Sequence, residues 1–399
     1  MTVWLRRRFG AVRRVAPIFF LGVLPAVLTV QILAWEVRSG SAAIDFHHAF
    51  WPAIHRVLHG ESPFAPVTKA ALAHGTAFVY PPLAALLMAP LALLPLPVAD
   101  AVVTFLLLLT PVACLRLLGV RDRRCYGAVF LWPPVIWAVQ TANLSLPLAL
   151  GAVLLWRYRD RVRTRAVIAG AMIAVKLFLW PLLVWLAATR RRVSAFYALM
   201  LAVGGTLGSW AVIGFAGLDA YPHMLGRLTA LEAPASYSPQ ALALMLGAPP
   251  QVASGIRYAL AGAVLAASVL IARRTDGDRR SFTLALAASI LFSPIVWLHY
   301  FALLIVPVAL FRPRFGGVWL LPAALWACPV RPAGPTWLTV LVLADFAALV
   351  GLLVAQHALK EERQQVQHED RERAGREERR RRHERVGVGI EPHVAAERP

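Results

Sequence analysis

Charged residues are scarce in this 399-residue sequence, where Asp, Glu, Lys and Arg make up 16%; soluble proteins carry about a quarter. Cysteines number only three, and Cys114, Cys125 and Cys328 lie in or beside apolar runs without Cys-x-x-Cys spacing. We therefore expect neither disulfides nor a cysteine-based metal site. The sequence also lacks a P-loop and a Gly-x-Gly-x-x-Gly stretch, the glycine-rich patterns that bind nucleotide phosphates. These absences leave no sign of a soluble nucleotide-binding domain.

Apolar residues dominate instead. The chain is 59% hydrophobic and its mean hydropathy is +0.62. Apolar runs of roughly 15 to 23 residues recur almost end to end, each near the length that crosses a hydrocarbon core of about 30 Å. The candidate segments are 17–35, 81–97, 98–118, 126–140, 144–156, 166–188, 194–216, 254–272, 281–297, 298–311, 317–330 and 337–356. The pattern predicts an all-α, polytopic transmembrane bundle of about 10–12 spans over residues 1–356, followed by a charged cytoplasmic tail over 357–399.

The formal net charge of +20 comes mostly from arginine clusters at the ends of apolar runs. This distribution is typical of cytoplasmic anchors that face anionic lipid, rather than of a nucleic-acid-binding surface. It places the first loop, 36–80, outside the cell. Segments 81–97 and 166–188 are interrupted by prolines and by Lys176, so each of them either spans the membrane or dips in and returns.

The first outer loop contains the stretch IDFHHAFWPAIHRVLHG, from Ile44 to Gly60. It predicts a short interfacial helix in which Asp45 is an N-cap and Gly60 ends the helix. The residues expected on its apolar face are Phe46, Phe50, Ile54, Val57 and Leu58. The residues expected on its solvent-facing side are His48, Trp51, His55 and His59. Asp45 either only caps this helix or takes part in chemistry. The spacing of His55 and His59 would suit two metal ligands, but a third ligand is not assured and we expect no metal.

Further motifs follow in order. Tyr80-Pro81-Pro82-Leu83 stands at the start of a predicted helix, and Gln140-x-x-Asn143 lies between two short apolar segments. Further along, AGAMIAVKLFLWP precedes SPIVWLHY. Together with the Asp45 loop, these stretches resemble membrane glycosyltransferases of the GT-C superfamily. Within it they are similar to glycosyltransferase family 87 (GT87), the polyprenol-phosphate-mannose-dependent α-mannosyltransferase-like family. The sequence departs from the family pattern at Val139, where glycine is usual, and in the loop 217–253.

The resemblance implies an enzyme of the bacterial cytoplasmic membrane with its active site on the extracytoplasmic side. The resemblance implies a polyprenyl-phosphate hexose as the donor, with mannose as the hexose, and a glycolipid or polysaccharide as the acceptor. No cofactor and no nucleic-acid partner are implied. A carboxylate near the interface is needed to deprotonate the acceptor hydroxyl, and the family position falls on Asp45. One base without a second catalytic carboxylate predicts a single displacement with inversion.

The donor phosphate requires positive or polar partners. A lysine within an apolar run costs about 2.5–3.5 kcal/mol on insertion scales, so Lys176 is expected to face a cavity or substrate. The other expected substrate-binding residues are His299, Trp297, Tyr80, Gln140, Asn143 and Arg56. The alternative function is a transporter or flippase of a lipid-linked sugar or small solute. Internal repeats, which are frequent in transporters, are not evident in the sequence.

Overall fold

The computed structural model describes residues 16–64, 77–328 and 335–355. Every regular element within these ranges is helical, which confirms the all-α prediction. The chain divides into a unit of residues 1–350 and a unit of residues 351–399. The predicted charged tail lies outside the described residues, and a domain boundary at residue 356 stays a prediction.

Sixteen α-helices are numbered here along the described ranges. They are α1 (Ala16–Ser39, containing a π-turn at Phe19–Val23), α2 (Trp51–Leu58, preceded by a π-turn at Phe46–Phe50), α3 (Pro82–Met88), α4 (Leu96–Leu117), α5 (Arg123–Val129), α6 (Pro133–Thr141), α7 (Ser145–Arg157), α8 (Val162–Val175), α9 (Pro181–Ala188), α10 (Arg192–Val212), α11 (Ala220–Glu232), α12 (Pro239–Met245), α13 (Pro250–Ala272), α14 (Gly277–Phe292), α15 (Ile305–Phe311) and α16 (Thr336–Ala355). Short 3₁₀ segments at Ala89–Leu93, Leu177–Leu179, Ala233–Ala235, Leu298–Leu304 and Gly317–Ala327 connect or extend them.

Proline fixes the start of many of these helices. Helices α3, α6, α9, α12 and α13 each begin with proline at the first helical position. Proline is suited to that position because its missing N–H would have no intrahelical partner there and its φ angle is already helical. The abundant prolines therefore divide the apolar sequence into shorter helices than its hydropathy predicts.

Five helices in the described ranges are long and apolar enough to cross a membrane: α1, α4, α10, α13 and α16. A sixth span is possible in α6 and α7 together, although these two helices are bent by 116° relative to each other. The predicted number of 10–12 spans is therefore larger than the number of full-length helices. The difference arises because several predicted segments are shorter helices or 3₁₀ turns, including Pro82–Leu93, Leu177–Ala188, Leu298–Phe311 and Gly317–Ala327.

A helix is present where the sequence predicts one, and its position at the membrane interface stays a prediction. Phe46, Phe50, Ile54 and Val57 are buried as expected, whereas the prediction for Leu58 is wrong, because this side chain is 54% exposed. Gly60 has a φ of +74° and follows the C-cap residue His59, and this is a conformation that glycine adopts at little cost and that ends helices. The π-turn before α2 adds a residue to the helical turn, a feature found often at functional sites.

Close packing of α8 against α10 holds the chain near Lys176. A Cβ atom added at Gly170 would lie 2.7 Å from the Leu201 Cβ and 2.9 Å from the Ala198 carbonyl oxygen. Only glycine lets the two helices approach this closely. Helix α8 then ends, and Lys176 follows in an extended conformation with φ −146° and ψ 100°. The helical break predicted in this segment is thus located at Lys176.

Candidate active site

A cavity of about 860 Å³ opens where several helices end or break. Its wall is formed by the end of α1, the interfacial segment, the start of α3, the end of α6, the break after α8, helix α11 and residues 293–300. The polar side chains that line it are Glu36, Ser41, Asp45, Tyr80, Gln140, Thr141, Lys176, Tyr221, Thr229, Glu232, Ser293, Trp297, His299 and Tyr300. Irregular backbone within an apolar protein is tolerated where it lines such a cavity, and the volume suits a small-molecule substrate.

Asp45 lies on the cavity wall. Its backbone is helical, with φ −69° and ψ −41°, and its side chain makes no capping hydrogen bond. The prediction that Asp45 is an N-cap is therefore wrong, because an N-cap residue requires a non-helical backbone and a side chain turned back onto the helix. The carboxyl group faces the cavity instead.

Burial raises the pKa of Asp45 to about 7, and the positive charge of Lys176 partly opposes this rise. An aspartate in water has a pKa near 4, so the cavity favours the protonated form more strongly than water does. A carboxyl group with a pKa near neutrality is matched to general acid–base chemistry.

Lys176 is buried at the same cavity and is surrounded by aromatic rings. Its Nζ lies 4.0 Å from the ring centre of Tyr300, 4.9 Å from that of Tyr80 and 5.4 Å from that of Phe178. The ammonium also donates a long hydrogen bond of 3.5 Å to the Tyr80 hydroxyl. Cation–π contacts stabilise the ammonium without neutralising its charge. Burial lowers the pKa of Lys176 to about 7, and the negative charge of Asp45 partly opposes this fall. Lys176 forms no ion pair with any carboxylate in the described ranges, so an anionic ligand would stabilise its charged form.

Four other predicted substrate-binding residues line this cavity: Tyr80, Gln140, Trp297 and His299. The His299 ring is buried and tilted against Tyr300, with the ring centres 5.0 Å apart. The Nε2 of Gln140 donates a 2.5 Å hydrogen bond to a carboxylate oxygen of Glu36. The structure therefore brings these residues together with Asp45 and Lys176, and their binding roles stay predictions.

Asn143 and Arg56 are not among the residues that line the cavity. The Asn143 side chain accepts a 2.7 Å hydrogen bond from the Ser145 backbone N–H and donates one of 2.5 Å to the Thr141 hydroxyl. It thus stabilises the sharp bend between α6 and α7. Arg56 lies on α2 and is half-buried. Both residues are separate from the cavity in this structure.

Two acidic residues that the sequence analysis did not select also line the cavity, Glu36 and Glu232. Burial and the negative charge of Asp45 raise the pKa of Glu232 to about 7. Glu36 lies at the end of an apolar run, where an acidic residue is ordinarily a solvated flank. Glu232 belongs to the loop that departs from the family pattern, but it is one of only two acidic residues there, with Asp219. The scarcity of acidic residues in this loop was the feature of the sequence that could have indicated Glu232 as a site residue.

The histidines of the interfacial segment have other partners. The Nδ1 of His47 lies 3.0 Å from the Asp100 carboxylate on α4, and the ring of His55 lies 4.9 Å from that of Trp51. His59 bonds through Nδ1 to the His55 carbonyl oxygen at 2.7 Å. Over the described ranges, His, Cys, Asp and Glu form no group of three or more that could hold a metal ion. Metal independence stays a prediction.

The comparison with protein families matches residues 78–307, more than half of the chain, to glycosyltransferase family 87. The match contains Tyr80, Gln140, Lys176, Glu232 and His299. Asp45 precedes the match, and the structure places this carboxyl on the same cavity as the matched residues. No curated protein and no solved structure gave a significant match. The family supports a transferase rather than the transporter alternative. The chain thus belongs to glycosyltransferase family 87 and is an integral membrane glycosyltransferase.

Proposed function

We propose that this enzyme transfers a hexose, mannose in the first instance, from a polyprenyl-phosphate sugar to an acceptor hydroxyl. The reaction takes place on the extracytoplasmic side of a bacterial cytoplasmic membrane. The observation that carries the proposal is the presence of Asp45 and Lys176 on one cavity within a family 87 glycosyltransferase. The two side chains are close enough for the lysine charge to act on the aspartate.

The reaction needs a base for the acceptor and a cation for the leaving group. The ionised carboxylate of Asp45 takes the proton from the acceptor hydroxyl as its oxygen attacks the anomeric carbon. The bond between that carbon and the phosphate oxygen breaks, and its electron pair leaves with the polyprenyl phosphate. Lys176 stabilises the negative charge that develops on this phosphate. The proton is left on Asp45, and the reaction as written requires no cofactor.

The apolar composition of the cavity is consistent with a lipid-linked donor. Its lining includes Trp35, Phe50, Trp137, Phe178 and Leu228, which suit an isoprenoid chain. His299 and Tyr80 adjoin Lys176 and can orient the phosphate or the sugar. These contacts support a donor whose charged end is held by the lysine while its tail lies among the helices.

We further propose that the transfer is a single displacement that inverts the anomeric configuration. A double displacement would require a carboxylate nucleophile at the anomeric carbon. Glu36 is engaged by the Gln140 amide, and Glu232 is assigned below to the acceptor. The anomeric configuration of the product, measured by the ¹H–¹³C coupling at its anomeric carbon, tests this step. A product with retained configuration would contradict it.

The proposed function is tested with purified protein in lipid nanodiscs and radiolabelled polyprenyl-phosphate mannose. We expect the native protein to transfer the label to a membrane glycan extract. Asp45→Asn should lower this transfer about a hundredfold or more, within the usual range for loss of a general base. Glu61→Gln is the matched control, because Glu61 is exposed, in the same predicted loop and absent from the cavity lining. Full transfer by Asp45→Asn would remove Asp45 as the base.

A further inference from the structure

Helix α11 gives the cavity a wall whose polar groups the mechanism above does not use. Leu225, Leu228, Thr229 and Glu232 of this helix line the cavity. Thr229 and Glu232 are three residues apart and therefore lie on the same face of the helix. A hydroxyl and a carboxyl group thus stand side by side on this wall.

The wall is fixed in place by packing. Leu228, Ala233 and Ile295 form a buried cluster, and Trp297 packs against it. The Tyr221 hydroxyl at the start of α11 donates a 3.1 Å hydrogen bond to the Val79 carbonyl oxygen. Trp297 itself is half-buried and lines the cavity. The Trp297 side chain and the polar pair on α11 therefore line adjoining parts of one packed wall.

Glu232 has no structural partner that explains its position. It is half-buried, and it forms neither a hydrogen bond nor an ion pair with any residue in the part of the chain that the structure describes. A partly buried carboxyl group without a partner costs stability. Such a group on a cavity wall is accounted for by a ligand that supplies the hydrogen bonds.

We propose that Glu232, Thr229 and Trp297 form the acceptor subsite, and that the acceptor group bound there is an uncharged sugar with adjacent hydroxyls. This inference rests on the proposed function. The two carboxyl oxygens of Glu232 accept hydrogen bonds from neighbouring hydroxyls, and the apolar face of a sugar ring packs on the indole of Trp297.

The charged groups around the cavity favour different binding positions for the donor and for the acceptor. Asp45 interacts electrostatically with both Lys176 and Glu232. A phosphate or a uronic acid beside Asp45 and Glu232 would raise the pKa values of both carboxyl groups further and would oppose the ionised Asp45 that the reaction needs, which disfavours an anionic acceptor. Lys176 attracts the phosphate of the donor instead. A neutral sugar held by Glu232 would present its hydroxyl near Asp45, the group that removes its proton.

The experiment measures sugar binding by saturation-transfer-difference NMR on the full-length protein in nanodiscs. The probes are methyl α-mannoside, methyl β-glucoside and methyl β-galactoside, which are soluble and uncharged; methyl glucuronide is the anionic comparison. The variants are Glu232→Gln and a matched control, Asp219→Asn. Asp219 is an exposed acidic residue that immediately precedes α11, makes no capping bond and does not line the cavity. Release of mannose from polyprenyl-phosphate mannose is measured in parallel as a readout of donor chemistry.

We expect at least one neutral glycoside to bind the native protein and the Asp219→Asn variant equally, and the glucuronide to bind more weakly. Glu232→Gln should weaken that binding about tenfold or more, the effect of losing a strong hydrogen bond to the sugar hydroxyls. Equal binding to Glu232→Gln, or no binding of any neutral glycoside to the native protein, overturns the subsite. Failure of the native protein to release or transfer mannose contradicts the proposed function instead, whatever the binding result.

Discussion

The ammonium nitrogen of Lys176 lies 4.0 Å from the ring centre of Tyr300, so the positive charge of the cavity rests on an aromatic face rather than on a carboxylate. Lys176 also follows the last residue of α8, where the chain is extended. An unpaired cation held in this way is preorganised for an anion that arrives with the substrate.

Replacing Lys176 by methionine removes the charge and keeps much of the apolar stem. We expect the KM for the lipid-linked donor to rise about 10- to 100-fold, which corresponds to loss of a hydrogen bond to a charged group. Lys176→Arg should restore little, because the planar guanidinium does not fit a site shaped around a compact ammonium. Steady-state kinetics with donor and acceptor varied separately provide the measurement. An unchanged donor KM in both variants would assign Lys176 a structural role.

The pKa of Asp45 predicts how activity depends on pH. The base must be ionised, and burial raises its pKa to about 7, so the ionised fraction decreases as the pH is lowered through 7. We expect kcat/KM to fall below about pH 7 and to approach a tenfold loss per pH unit. An ordinary aspartate would give this decline near pH 4. A profile that stays flat down to about pH 5 would contradict the assignment.

Lys176 provides a control for this profile. Its positive charge lowers the pKa of Asp45 against the effect of burial. Lys176→Met should therefore move the acidic decline to higher pH, whereas a general loss of folding would lower the rate at every pH equally. The Glu232→Gln variant should retain an acidic decline, because Asp45 remains the titrating base.

The sidedness of the cavity can be tested with single cysteines. The three native cysteines are buried, so a cysteine at an exposed position reports labelling against a low background. Cysteine at Glu61 should react with a membrane-impermeant maleimide in intact cells, because the charge pattern predicts that this loop lies outside. Cysteine at Arg274 is the opposite control and should react only after permeabilisation. Labelling of Arg274→Cys but not Glu61→Cys in intact cells would invert the proposed topology.

The hydrogen bond between Gln140 and Glu36 joins α6 to the end of α1. Gln140→Ala would leave the buried Glu36 without this partner, and we expect the free energy of unfolding to decrease by about 1–3 kcal/mol. Gln251→Ala is the matched control, because Gln251 is exposed on α13. Thermal unfolding in the same detergent compares the two variants. Equal unfolding temperatures would show that the bond contributes no net stability.

The sequence predicted the helical class, the interfacial helix and a break near Lys176, because apolar periodicity and proline act locally. It did not predict how many helices are long enough to span, since helical breaks depend on packing between segments that are distant in the chain. Glu36 and Glu232 were missed for the same reason. Glu36 resembles an ordinary solvated flank of an apolar run, and the local sign for Glu232 was limited to the scarcity of acidic residues in its loop. The fold brings both residues to the cavity of Asp45.

Asn143 shows the converse. Its place in a polar motif predicted substrate binding, which stays a prediction, whereas in the structure its side chain bonds the Thr141 hydroxyl and the Ser145 N–H at the bend between α6 and α7. An amide side chain between two short helices can bind a substrate or can form hydrogen bonds within the bend. Which of these it does depends on the angle between the two helices. No local pattern specifies that angle.

Helix α11 supplies a wall of the cavity but is not one of the helices able to cross the membrane. Asp45 and Lys176 belong to other elements. Under the acceptor subsite proposed above, a lineage that replaces this one segment would recognise a different glycan while it inherits Asp45 and Lys176. Chimeric enzymes that exchange residues 220–232 would show whether the choice of glycan follows this segment.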